Sequence, residues 1–239
     1  MKFIGCLGAS VGILLFSASA PLISSETKAT TTVVLVGDST MADWANEKPA
    51  RGWGQLLPEY LTDDVRVVNL AVCGMSTKTF PDTGNWQKAL ASGAKYLLIQ
   101  FGHNDSHAPD KPESTKADGE FTTNLERFVA EARTAGITPI LVTPVHRRMY
   151  GADGKPSTEL APYAAATKRV AEKLNVPLID LYAVSGEYFE KIGEAGSVGI
   201  TVSDVDRTHF TEQGARQIAG FVAAGFKVTS PDAAQLVKP

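Results

Sequence analysis

A chain of 239 residues suits one domain of moderate size, with room for a full hydrophobic core. Its 23 basic and 26 acidic side chains leave a net charge of −3, and no basic run offers a grip to a nucleic acid. No heptad or internal repeat interrupts the composition, which excludes a coiled coil or a solenoid.

Lys2 is followed by an apolar stretch from Phe3 to Phe16 and then by Ser17-Ala18-Ser19-Ala20. A weakly charged start, an apolar segment and small residues describe a secretory signal peptide over 1–20. The stretch is short for a membrane span. Pro21 would follow a cut after Ala20 directly, which signal peptidases disfavour, so any cut before Thr30 stays open. Met1 to Gly5 leave no room for a hydrophobic segment ahead of Cys6, which argues against a lipoprotein. Residues 21–31, rich in Ser, Thr and Lys, read as a flexible leader, and 32–230 as a single domain. After cleavage Cys73 is the only cysteine, so the fold holds by core packing without an internal disulfide. Cys73 itself reads as a small buried residue.

Val33 to Val36 run straight into Gly37-Asp38-Ser39-Thr40, the pattern of a buried parallel strand ending in a polar turn. Met41 to Arg51 is a polar loop, and 52–61 reads as a helix. Strands follow at 65–71 and 96–102, separated by a short helix over 86–92. Phe121, Leu125, Phe128, Val129 and Ala132 fall at helical spacing, and Gly136 ends that helix. A strand over 139–143 starts at Pro139, where a missing donor is tolerated. Then come a loop over 144–156, a helix over 158–174, a strand over 176–181 and a helix over 182–194. After a loop over 196–210, Thr211 caps a last helix reaching Phe226. Strands alternating with helices at this spacing predict an α/β fold, a parallel sheet covered on both faces.

Four polar clusters interrupt the scaffold: 37–39, 69–74, 102–105, and Asp206-Arg207-Thr208-His209. The first three follow strands and converge on one edge of a parallel sheet, where ligands bind in open α/β folds. Each has a plainer reading taken alone. Gly37 to Thr40 can be a helix-capping turn, Gly74 a tight turn, Asn104 an Asx-turn, and Asp206 with His209 a surface pair.

Together, and in this order, they resemble the SGNH hydrolases, also called the GDSL esterases and lipases. The family's named residues match Ser39, Gly74, Asn104 and His209, and the resemblance runs from Val33 to Phe226. No Gly-x-Ser-x-Gly elbow follows any of the five strands, which sets the pattern apart from the α/β-hydrolases. The resemblance implies a three-layer α/β/α, flavodoxin-like fold around a mostly parallel five-stranded sheet.

A serine hydroxyl needs a base to become a nucleophile, and His209 is the candidate. Asp206, three residues earlier, lies within one turn of the other ring nitrogen, where it would fix the tautomer. The family pattern assigns the oxyanion donors to the Ser39 and Gly74 backbone N–H groups and the Asn104 amide. Asp38 and Asp105 read as turn-holding carboxylates. His103, His107 and His146 match no metal spacing; structural or substrate-contact roles are expected, with no metal and no cofactor.

Gly37 to Met41, Gly52-Trp53-Gly54, Phe101 to Asp105, Thr143 to Arg148 and Thr208 to Thr211 with Gly214-Ala215 resemble the rhamnogalacturonan acetylesterase branch. The branch often carries Gly-Arg-Ser where this chain has Gly74-Met75-Ser76, so an arginine is absent beside the oxyanion donors. The resemblance implies a secreted or periplasmic serine esterase, monomeric, that deacetylates a polysaccharide through an acetyl-enzyme. It acts without nucleic acid and without stable membrane association after cleavage. A lipase-like or thioesterase hydrolase, an acetyl transferase and a catalytically silent carbohydrate-binding protein remain open on these residues.

Overall fold

Val33 and Leu35 turn to one face of the first strand, β1 (Thr31–Gly37), while Val34 and Val36 turn to the other. The period of two is that of any strand; both sets are apolar because both faces are covered. The computed structural model describes residues 30–239. The expected signal peptide and leader residues 21–29 lie outside the described residues, and Thr31 already belongs to β1.

Beside β1 run β2 (Val65–Asn69), β3 (Tyr96–Gln100), β4 (Thr138–Val142) and β5 (Leu178–Ile179), every pair parallel, in the order β2-β1-β3-β4-β5. The helices are α1 (Trp53–Leu56), α2 (Asn85–Leu90), α3 (Thr122–Thr134), α4 (Ala161–Leu174), α5 (Leu181–Gly196), α6 (Glu212–Lys227) and α7 (Pro231–Ala234). Trp53, Leu181, Phe189, Ile218, Val222 and Ala233 bring α1, α5, α6 and α7 onto the face holding Leu35, Leu98 and Ile140. Trp86, Leu125, Phe128 and Val170 bring α2, α3 and α4 onto the face holding Val34, Leu97 and Leu141. The branched aliphatic and phenylalanine side chains among these each contribute about 1.5–3 kcal/mol when fully buried. The result is the three-layer α/β/α architecture.

Element ends depart from the sequence pattern for local reasons. The helix expected over 52–61 tightens at Leu57–Tyr60 into a 3-10 turn, with Pro58 at its start. β5 shrinks because Asp180 caps α5, its carboxylate accepting from the Ala183 N–H at 3.2 Å. Pro139 is harmless for a related reason. Leu141 and Thr143 donate to Pro177 and Ile179, and Pro139 faces that same side before β5 begins. Past residue 230 the chain stays packed, with Ala233 buried and the Lys238 N–H bonded to Tyr60.

The strand order reverses between β1 and β3, so their following loops part in opposite directions and leave a crevice. Ser39 and Asn104 stand on those two loops.

Candidate active site

Asp38 shapes the turn that carries Ser39. Its Oδ1 accepts from the Thr40 N–H at 2.9 Å and from the Thr40 hydroxyl at 2.7 Å. Thr40 Oγ1 in turn accepts from Gln100 Nε2 at 2.7 Å, and Gln100 Oε1 from Trp53 Nε1 at 2.7 Å. All four side chains are buried, so the turn is bolted to β3 and α1 inside a low dielectric, where such bonds are strong.

The Ser39 hydroxyl meets His209 Nε2 at 2.8 Å across 170 residues of chain. On the ring's far side Nδ1 lies 2.9 Å from Asp206 Oδ2. Asp206 Oδ1 also accepts from the backbone N–H groups of Thr208 at 3.2 Å and His209 at 3.0 Å. One carboxylate thus folds the turn and orients the ring. Burial works against its charge, but the hydrogen bonds from His209 and Thr208 outweigh that and lower the Asp206 pKa. An ionised Asp206 holds the proton on Nδ1, which leaves Nε2 free to accept from Ser39.

Gly74 has φ +79° and open space where a side chain would stand. Its backbone, in a conformation that glycine adopts without strain, can therefore be approached closely. Asn104 Nδ2 donates to Met75 O at 2.8 Å, which fixes the amide and leaves its second N–H available. Among the described hydrogen bonds, none uses the Ser39 or Gly74 N–H. Asp105 ties the two loops together: its Oδ1 accepts from the Thr77 and Thr115 hydroxyls at 2.6 and 2.8 Å.

Asp105 has a measurable signature. Burial raises its carboxyl to about 6, against the hydrogen bonds from Thr77 and Thr115. An unfolded aspartate titrates near ~3.9, so between these values the folded chain holds the extra proton. Stability therefore falls as pH rises from about 4 through 6, by on the order of 3 kcal/mol from this group. Asp105→Asn keeps an oxygen for the two hydroxyls and removes the titration. Denaturant melts should show the variant gaining on the wild type across that window, whereas a constant difference would contradict the assignment.

The GDSL-like lipase/acylhydrolase family profile matches residues 35–217, which hold all of these loops. The chain belongs to this family. Rhamnogalacturonan acetylesterase RhgT of Bacillus subtilis (strain 168) is 37% identical over 211 residues, spanning 82% of this chain and 89% of that protein. A second B. subtilis relative, the probable rhamnogalacturonan acetylesterase YesY, is 36% identical over 205 residues, with 82% and 92% covered. Among solved structures, B. subtilis YxiM superposes with a TM-score of 0.73 at 27% identity, covering 83% of this chain and 56% of that one. The acetylxylan esterase Axe2 of Geobacillus stearothermophilus shares the fold, with a TM-score of 0.63, 20% identity, and 82% and 94% covered. A GDSL acylhydrolase is a carboxylic ester hydrolase, and the site has the parts for acyl transfer.

Three sets of contacts at this GDSL site are not given by the motifs. Trp44 donates Nε1–H to Ser39 O at 3.0 Å and sets its ring edge-on to His209, centroids 5.1 Å apart. The signal was an aromatic residue in an otherwise polar loop. His103, fully enclosed, lies with Nδ1 3.3 Å from Asp38 Oδ2. Burial raises the Asp38 carboxyl, but His103 and the Thr40 bonds more than compensate and hold it below its ordinary value. Arg147 donates from Nη2 to His103 O at 3.1 Å and pairs with Glu159 at 2.8 Å. His103, His107 and Arg147 wall a pocket of about 400 Å³ over Ser39 and His209.

Other expectations resolve plainly. Met75 packs on the apolar layer beneath the sheet. Cys73, expected to be buried, is exposed at the loop surface. Partial desolvation and the Asp38 charge raise its thiol pKa, so it stays a thiol. His107 pairs with Glu113 at 2.6 Å.

Proposed function

We propose that the chain is a carbohydrate acetylesterase that acts outside the cytoplasm and removes O-acetyl groups from pectic rhamnogalacturonan. The observation that carries the reading is the unbroken Ser39–His209–Asp206 line, 2.8 and 2.9 Å, at one pocket with Asn104. The names of RhgT and YesY support an acetylated pectic substrate, and the apolar stretch from Phe3 to Phe16 supports export.

Ser39 Oγ attacks the acetyl carbonyl carbon as its proton passes to His209 Nε2. The developing oxyanion is held by the Ser39 and Gly74 N–H groups and the Asn104 amide. Collapse breaks the bond to the sugar oxygen, which takes the proton from His209 and leaves acetyl on Ser39. Water repeats the sequence, releasing acetate and restoring the hydroxyl.

Asn104→Ala should lower kcat by about 10²–10³-fold with little change in KM, the usual loss for one oxyanion donor. Steady-state kinetics on a small acetyl ester reads this, and an unchanged kcat would remove Asn104 from the role. Acetate release from acetylated rhamnogalacturonan and acetylated xylan, and p-nitrophenol release from p-nitrophenyl esters of increasing chain length, test the substrate. Preference for xylan overturns the pectic assignment, and preference for long acyl chains overturns the acetylesterase. N-terminal sequencing of the mature protein from culture medium tests export.

A further inference from the structure

Among the described residues, one cavity is larger than the pocket that holds Ser39. It encloses about 590 Å³ between the loop after β4 and helix α5. We propose that it is a second sugar-binding subsite, taking an unacetylated, uncharged sugar ring of the polymer whose acetylated residue lies over Ser39. The inference rests on the carbohydrate reading above.

Position carries the first part of the argument. Arg147 lines the catalytic pocket and His146, the preceding residue, lines this cavity. Neighbouring Cα atoms are ~3.8 Å apart, less than the length of one sugar residue. Both depressions are lined by the loop after β4, so one polymer chain can pass Arg147 and occupy both.

Wall chemistry carries the second. The His146 ring stacks on Tyr182, centroids 3.9 Å apart and 24° from parallel. Gly186 on α5 allows this, since a Cβ there would stand 2.7 Å from His146 Nε2. Tyr150 and the 39%-exposed Met149 add aromatic and thioether surface, suited to the C–H face of a sugar ring. The side also holds unmet polar groups. His146 is only 6% exposed, yet its Nδ1 has no partner, and neither does the Tyr182 hydroxyl. Buried polar groups in native proteins are nearly always bonded, and sugar hydroxyls both donate and accept. Burial lowers the His146 pKa to about 4, against a hydrogen bond to the Ser157 backbone, so at neutral pH the ring is uncharged.

Charge selects the ring. Asp153 and Glu190 stand at the cavity against the single ammonium of Lys155. Two carboxylates disfavour a uronate and leave neutral sugars as the fitting class.

The test uses Thr158→Trp, which fills the exposed rim, and Met149→Ala, which removes wall surface; neither touches the catalytic residues. Calorimetric titration with an unacetylated rhamnogalacturonan oligosaccharide is expected to show binding that weakens about tenfold in Thr158→Trp and less in Met149→Ala. On the acetylated oligosaccharide KM should rise by a similar factor, with kcat/KM for p-nitrophenyl acetate unchanged. Equal oligosaccharide affinity in wild type and both variants, or no binding to the wild type, overturns the subsite. Acetate release from the polymer with equal KM in all three overturns it too while leaving the acetylesterase standing. Variant-sensitive binding with no acetate release from any carbohydrate supports the subsite and sinks the enzymatic reading.

Discussion

Ser39→Ala is expected to lower kcat on a small acetyl ester by roughly 10⁴- to 10⁶-fold, the range seen when a serine nucleophile is removed. The hydroxyl's recorded bond is the one to His209. The turn is held by Asp38, Thr40 and Gln100 instead, so the variant should fold and melt within ~1 kcal/mol of the wild type. The residual rate would come from the oxyanion donors, which remain in place. Mass spectrometry of quenched turnover supplies a second readout: an acetyl adduct on the wild type, absent from the variant. Activity above about one part in a hundred of wild type, far beyond that residual rate, would place the nucleophile elsewhere.

Asp206→Asn is expected to cost on the order of 10⁴-fold in kcat, for a reason of tautomer more than of charge. The asparagine oxygen can still accept from the Thr208 and His209 N–H groups, as Asp206 Oδ1 does. That fixes its NH₂ toward His209 Nδ1, which must then accept. The ring proton moves to Nε2 and points at Ser39, so the base has nothing left to accept with. Nitrogen NMR of His209 should show the exchanged tautomer. A variant with the original tautomer and near-normal kcat would show that Asp206 serves only to fold the turn.

Much of this was legible because parallel strands buried on both faces read as unbroken apolar runs. Val33 to Val36 and Tyr96 to Ile99 allow little else. Where a rung depends on its neighbour, reading fails: the pattern over 176–181 is strand-like, yet the Asp180 cap takes its end for α5. The candidate site was legible because short polar clusters stand out at strand ends. Its support was not. Asp38 with His103, Thr77 with Asp105 and Arg147 with His103 are 65, 28 and 44 residues apart, and no local pattern pairs such residues. The second cavity is less visible still, since its walls come from a loop and a helix that mean nothing separately.

The proposed nucleophile and base are secured very differently. Ser39 follows β1, a strand paired on both sides, whereas His209 rides on a stretch with no helix or strand of its own between Gly196 and Glu212. That stretch is pinned by a few ties. Arg148 reaches Ser197 at 2.9 Å and Asp204 at 3.0 Å, Arg148 N–H meets Arg207 O at 2.8 Å, and Arg51 N–H meets Phe210 O at 2.8 Å. Val205, near its middle, is 97% exposed. Ile200 and Phe210 anchor its two sides in the core, but 202–209 between them is half-buried or exposed, and such loops open at lower free energy than the whole fold. Warming should therefore silence the enzyme before it melts: a reversible inactivation, several degrees below the loss of far-ultraviolet dichroism, as His209 drifts from a serine that has not moved.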